Sequence, residues 1–419
     1  VLFGKRSDKR ERPLMVYVLL ELAIGVYCLV LPFLARGAGA LYESLAGATF
    51  EQAGTKTVLR LALSLAVITL PAVLMGGTLP VLARYLIEEV AQTRKAVASL
   101  YALNNIGAVL GSGVAGFYLL PEYGIYGSLA AASGMNFVAA GLVWLANSRT
   151  DYKPSTASAS ETAVHSAMPI YTSSQFQATL WALALSGFAA MGYEVVFLRL
   201  ISMGFGSSTF SFTVMLMCFI TGIGIGSGIV SLISVKRPMW WLAASQMGVI
   251  VSLIAVTPLL ERMPYLISTM RTTLINWPAD PSVHEPFGPV AYGFEKFLAG
   301  QAGWCFLMLL APTVLIGMGF PLVSQIQARS VSNIGGTIGS TYAWNTVGNV
   351  LGVVITSLVL MPYYGGFEGA FHANLMINFV AVLLLIYAAR EAKLSLRLAT
   401  FAALLVVMGL YGAAGRDWS

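Results

Sequence analysis

The chain repeats itself without a gap. Pro71-Ala-Val-Leu-Met-Gly-Gly-Thr-Leu-Pro80 returns as Pro312-Thr-Val-Leu-Ile-Gly-Met-Gly-Phe-Pro321. Ser99-Leu-Tyr-Ala-Leu-Asn-Asn-Ile-Gly-Ala-Val-Leu-Gly111 returns as Ser340-Thr-Tyr-Ala-Trp-Asn-Thr-Val-Gly-Asn-Val-Leu-Gly352, and Pro121-Glu-Tyr-Gly124 as Pro362-Tyr-Tyr-Gly365. All three pairs lie 241 residues apart (312 − 71, 340 − 99, 362 − 121). Such a repeat inside very apolar sequence predicts a membrane protein with two related halves.

Composition names the solvent. Hydrophobic residues make up 57% of the chain and charged residues only 10%, against about 25% charged in soluble domains. Mean hydropathy is +0.77. The net charge of +6 is no sign of nucleic acid, because Lys and Arg cluster in short loops where they orient helices. Membrane lipids are the expected partners. Cys28, Cys218 and Cys305 all fall in apolar segments, which indicates neither a disulfide framework nor a zinc site.

A spanning helix needs roughly 20 apolar residues. Eleven segments qualify, near 13–35, 57–84, 97–120, 124–147, 177–203, 208–234, 239–260, 297–325, 336–361, 366–390 and 394–414. Sixteen Lys and Arg fall on one side of these spans, among them Lys5, Arg6, Arg84, Arg94, Lys153 and Arg390. Eight fall on the other, including Arg36, Arg60, Arg199 and Arg262. The richer side is expected to be cytoplasmic. That places the N-terminal end inside an inner membrane and, with an odd number of spans, the C-terminal end outside.

Residues 148–176, rich in Ser, Thr and Ala, read as a cytoplasmic linker between halves. The connection 261–296 lies outside and carries Trp277 and five prolines. It is expected to form an ordered cap or a contact with other subunits of a membrane complex. The halves differ in completeness. Pro13 corresponds to Pro238, each after a basic cluster. Two spans precede that point in the second half, but only Val1–Arg12 in the first. The parent unit is thus six spans. Residues 1–147 hold the first repeat without its first two spans, 177–390 the second repeat, and 391–419 an added span and tail. An initial Val instead of Met fits a lost or processed start. Equivalent spans six apart run the same way, a parallel repeat like the two halves of major facilitator transporters.

Several motifs resemble the membrane domain of spermidine-synthase-like proteins, a facilitator-type domain fused to a synthase. They are Arg12-Pro-Leu with Leu20-Glu-Leu-Ala-Ile-Gly25, Leu74-Met-Gly-Gly-Thr-Leu-Pro80, Tyr101 through Gly111, Ser186-Gly-Phe-Ala-Ala-Met-Gly-Tyr-Glu194 with Arg199, and Gly206-Ser-Ser-Thr-Phe210. The resemblance covers nearly the whole chain. It implies a membrane module. The aminopropyltransferase-like domain of the fused proteins has no counterpart before Ser419, so the chain as given is expected to catalyse nothing and to carry no cofactor.

Charged groups inside a membrane cost about 2.5–3.5 kcal/mol at a helix centre and mark candidate sites. Glu21 lies eight residues into its span, and its repeat counterpart is Gln246. Glu194 is the second buried acid. Arg199, five residues on, is about 140° away around the helix and snorkels to the outer surface instead of pairing. His372 sits two turns inside the last repeated span. Tyr101 and Asn104 recur as Tyr342 and Asn345, and two such faces could line a central cavity. Each of these seven also has a plainer reading as interhelical glue.

The remaining motifs concern packing. Gly107 with Gly111, and Gly348 with Gly352, form small-xxx-small pairs. Thr221-Gly-Ile-Gly-Ile-Gly-Ser-Gly228 lacks the following Lys and the preceding strand of a nucleotide loop. It reads as two interleaved pairs, Gly222/Gly226 and Gly224/Gly228. The paired prolines are expected to kink or break their helices. Lys5 through Arg12 is a basic anchor for anionic headgroups and resembles the loop between the second and third helices of facilitator proteins. No signature for haem, chlorin, zinc, another metal or nucleotide is present. Three functions fit: a transporter-like module for a polyamine or other small cation, a structural or accessory subunit of a larger inner-membrane complex, or the anchor of an absent aminopropyltransferase-like domain.

Overall fold

With no water in a bilayer core, backbone groups must bond within their own segment, which favours helices. The computed structural model describes residues 2–8, 13–49, 53–87, 92–149, 171–205, 209–262, 289–328 and 333–389, with single positions beyond them. The elements described there are all helical. They are α1 (Leu2–Asp8), α2 (Pro13–Thr49), α3 (Ala53–Leu86), α4 (Thr93–Val114), α5 (Leu120–Arg149), α6 (Ser173–Phe205), α7 (Thr209–Leu232) and α8 (Pro238–Glu261). There follow α9 (Pro289–Gly317), α10 (Gly319–Gln327), α11 (Ile334–Ile355), the short α12 (Met361–Tyr363) and α13 (Gly366–Ala388).

Among the described residues, nine helical runs are long and apolar enough to cross a membrane. They cover ten of the eleven expected segments, because 97–120 and 124–147 form one run, Thr93–Ser148. The segment 394–414, most of the linker 148–176 and most of the connection 261–296 lie outside the described residues. Several helices begin earlier than expected, and two of them show a local reason. α9 starts at Pro289, whose ring suits a first helical turn. α6 starts after Thr172, whose hydroxyl accepts the Gln175 amide at 3.4 Å while Gln175 Oε1 accepts the Thr172 amide at 2.8 Å. That is a reciprocal cap.

The repeat extends to irregular backbone. π-helical turns occupy Ala115–Leu119 and Thr356–Leu360, again 241 residues apart. Gly124 and Gly365, at the same offset, both take positive φ, 63° and 77°. The proline segments diverge. α3 runs through Pro71 and Pro80 without a break. Only the second copy is interrupted, at Met318, with Pro321 in the first turn of α10, where no helical amide is lost.

The helices group into two compact units. The first holds Val1–Gln92, Tyr118–His165 and Ala328–Tyr342. Within it α2 packs on α3 and α5, and α1 on α3. Tyr27 donates to the Val67 carbonyl at 2.6 Å, and Ser133 to the Gly25 carbonyl at 2.8 Å. The second unit holds Thr93–Phe117, Ser166–Gln327 and Ala343–Ser419. There α7 lies between α4 and α9, and α6 packs on α13. Its core buries Tyr193, Phe197, Met215, Phe219, Ile250 and Met308. α8 packs on α9 and α13 as α2 does on α3 and α5.

Candidate functional site

The polar interior of the second unit is built around α6, whose faces meet three helices. Small residues let the first contact form. A Cβ added at Gly348 would collide with the Ala184 carbonyl, and one at Gly352 with the Phe188 carbonyl. α11 therefore lies backbone-to-backbone against α6, as small-xxx-small spacing allows. At the same seam Asn349, in the orientation that satisfies its neighbours, donates to the carbonyls of Asn345 (3.1 Å) and Gly187 (3.2 Å). On a second face Ser186 donates to Gln246 Oε1 of α8 at 2.7 Å, out of solvent. On a third, Gly192 leaves room for the Asn374 carboxamide of α13, which donates to Ala370 O (2.8 Å) and Thr356 Oγ1 (3.3 Å).

Glu194 is half-buried on α6. It sits seven residues beyond Gly187, two turns along the same side. Among the described residues no hydrogen bond or opposite charge acts on it. Nearby helices also carry buried polar atoms without a partner among the described residues: Gln246 Nε2, Gln301 Nε2, Trp304 Nε1, and both amide atoms of Asn378. Such groups cost free energy in a dry interior unless something bonds them. A carboxyl without a protein partner can hold a proton or a small organic cation. Nothing there resembles a nucleophile–base pair. Among the described residues no three His, Cys, Asp or Glu gather as a metal site.

The other expected site residues divide between the units. Glu21 is buried in the first unit, and its carboxylate is bonded by the Tyr17 hydroxyl one turn earlier. Its repeat counterpart Gln246 instead bonds across to α6. Tyr342 is half-buried and approaches Gly76. In the second unit Tyr101 packs its ring 5.1 Å from that of Phe320. Asn104 is exposed, while Asn105 is buried and donates back to the Tyr101 carbonyl at 2.7 Å. Asn105 is thus satisfied within its own helix. Asn345 lies against Gly187, and His372 is half-buried with its ring beside Phe371 at 6.2 Å. Gly222 and Gly226 close onto Thr313 and Val314 of α9, and Gly224 meets Asn105, but Gly228, Gly107 and Gly111 touch nothing within 4 Å.

Sequence reading missed the roles of Ser186, Asn374 and Asn378, whereas Asn349 lay on the repeated face of Tyr342 and Asn345. Asn349 stood in the repeat as the counterpart of Ala108, and a polar replacement inside a repeated span is itself a signal. It also missed that the free thiols Cys218 and Cys305 meet between α7 and α9. Comparison with protein-family models and with curated proteins found no match to this chain.

Proposed function

We propose that the protein is a membrane transport module of two parallel, facilitator-like repeats that binds a small organic cation, such as a polyamine, at Glu194. One observation carries this reading: Glu194 is a half-buried acid in a membrane-length helix with no protein partner among the described residues. An acid held in such a place without a partner is a site for something that arrives. The matched π turns and matched positive-φ glycines support the two-repeat architecture. On this reading the module sits in an inner membrane with its basic side in the cytoplasm and has no enzymatic step of its own. The resemblance to spermidine-synthase-like membrane domains agrees with a polyamine cargo.

Uptake of radiolabelled putrescine into membrane vesicles from cells making the protein tests it. Saturable uptake is expected, with a roughly tenfold loss in Glu194→Gln, equivalent to about 1.4 kcal/mol of binding. The variant should melt like the parent. Equal uptake by both proteins would remove Glu194 from the mechanism.

An accessory role in a larger complex is favoured by a different observation, the open apolar cleft of the first unit. Stable co-purification with other subunits and no cation uptake would select that reading.

A further inference from the structure

The first unit contains an open cleft of about 560 Å³ between α2, α3 and the start of α5. Pro32, Leu63, Val67, Ile68 and Leu129 line it, and Arg60 stands at one end. Arg60 donates to the Tyr42 hydroxyl at 3.1 Å. Arg36, at the same end of α2, bonds the Tyr126 hydroxyl.

The repeat says what belongs in this cleft. At the 241-residue offset Arg60, Ser64, Val67, Ile68 and Leu129 correspond to Gln301, Cys305, Met308, Leu309 and Ala370. All five counterparts are at most 1% exposed, whereas Ile68 is 59% exposed. In the second unit the equivalent space is filled from α6 and α7, by Tyr193, Phe197, Met215, Cys218 and Phe219. The same difference appears on α4. Gly107 and Gly111 face nothing, while their counterparts Gly348 and Gly352 are closed by α6. It appears again at Glu21, which bonds its own helix where Gln246 bonds α6.

An existing interface fixes the direction of the missing element. In the offset that pairs Pro13 with Pro238, α1 corresponds to the last turns of α7. The end of α7 is bonded to α4, through Ser227 to the Ala98 carbonyl at 2.9 Å and Arg94 to the Val230 carbonyl. α1 packs likewise on Gly335, the counterpart of Arg94. Phe3 lies on Gly77 and Asp8 on Arg84, so α1 runs in the same direction as α3. A helix extended backward along the axis of α1 would pass Val67 after about 15 Å and Arg60 after about 25 Å.

We infer that the cleft seats a transmembrane helical hairpin whose second helix is collinear with α1. Its second helix presents small and apolar residues to Ser64, Val67 and Ile68, as α7 does to α9. Its first helix covers α5 as α6 covers α13, and offers a hydrogen-bond donor to Glu21 at the place where Ser186 meets Gln246. This assignment does not depend on cation binding at Glu194.

Photo-crosslinking in native membranes tests it. A benzoylphenylalanine is placed at Val67, at Leu129 or at the control position Leu19, whose counterpart Ala244 is also exposed. Adducts are mapped by mass spectrometry. The expected result is a several-fold excess of peptide adduct at Val67 and Leu129 over Leu19, mapping to a two-span hairpin that abuts α1. Lipid adducts alone at all three positions, or adducts to a second copy of this chain, would overturn it. Two separate sites on two helices keep the test readable if one variant fails to fold.

Discussion

Asp8 accepts the backbone amide of Gly336, 328 residues further along the chain, at 2.8 Å. It also accepts the Gly335 amide at 3.0 Å and lies 3.5 Å from the Arg84 guanidinium. The first unit thus closes the start of α11 with a side chain from α1, at an end where amides would otherwise lack partners.

This cap sets a pH dependence. Burial pushes the Asp8 carboxyl above its ordinary value, and the two amides and Arg84 pull it down without overcoming the burial. A carboxyl raised in the folded state binds its proton more tightly there than in the unfolded chain. Its contribution is then fully present below the ordinary carboxylate value and is lost as pH rises through the raised one. The melting temperature of the detergent-solubilised protein should fall with rising pH across that window. Asp8→Asn should flatten the fall, other carboxylates cancelling in the difference. Identical slopes for both proteins would show that Asp8 does not titrate with folding.

A second expectation separates two glycines two residues apart, on opposite faces of α7. A Cβ at Gly226 would collide with the Val314 carbonyl, a backbone atom that no rotamer change can move, whereas Gly228 has open space around it. Gly226→Ala should destabilise by about 1–3 kcal/mol, the usual cost of overpacking. Gly228→Ala should be neutral or stabilising by up to about 1 kcal/mol, since alanine is the better helix former. Thermal melts of the two variants side by side decide it, and equal losses would refute the packing of α7 on α9 described above.

The turn glycines give a third. Gly124 at φ 63° and ψ −170° holds a conformation nearly confined to glycine, and Gly365 at φ 77° and ψ 27° the left-handed one that sets a Cβ against a carbonyl. Alanine at either position should cost roughly 1–2 kcal/mol. Gly134, inside α5 with nothing within 4 Å, is the control, and alanine there should cost nothing. A melting temperature unchanged at Gly124 would mean that the chain turns there in another way.

What the sequence revealed and what it hid follow from the range of the interactions. Spans, the repeat and Gly124 with Gly365 were legible because each depends on neighbours in sequence. The cap of α11 by Asp8 was not, since the acid stands among Lys5, Arg6, Lys9 and Arg10 and read as part of an anchor. Its partners come from the far half of the chain. Which of Asn104 and Asn105 is buried was not legible, because helical spacing shows which residues share a face without showing which face is covered. That only the second copy breaks, at Met318, escaped for a related reason. Pro312 and Pro321 looked no different from Pro71 and Pro80, and the distinction lies in what surrounds the glycines between them.

That distinction limits recombination between the copies. Met318 is the counterpart of Gly77. Gly77 has Phe3 at 2.7 Å and Leu20 at 3.1 Å from where a Cβ would stand. A gene conversion event that copied 312–321 over 71–80 would drive a methionine side chain into the seat of α1 and lift Asp8 away from Arg84. The duplicated halves still share a backbone plan, but they have ceased to be interchangeable parts.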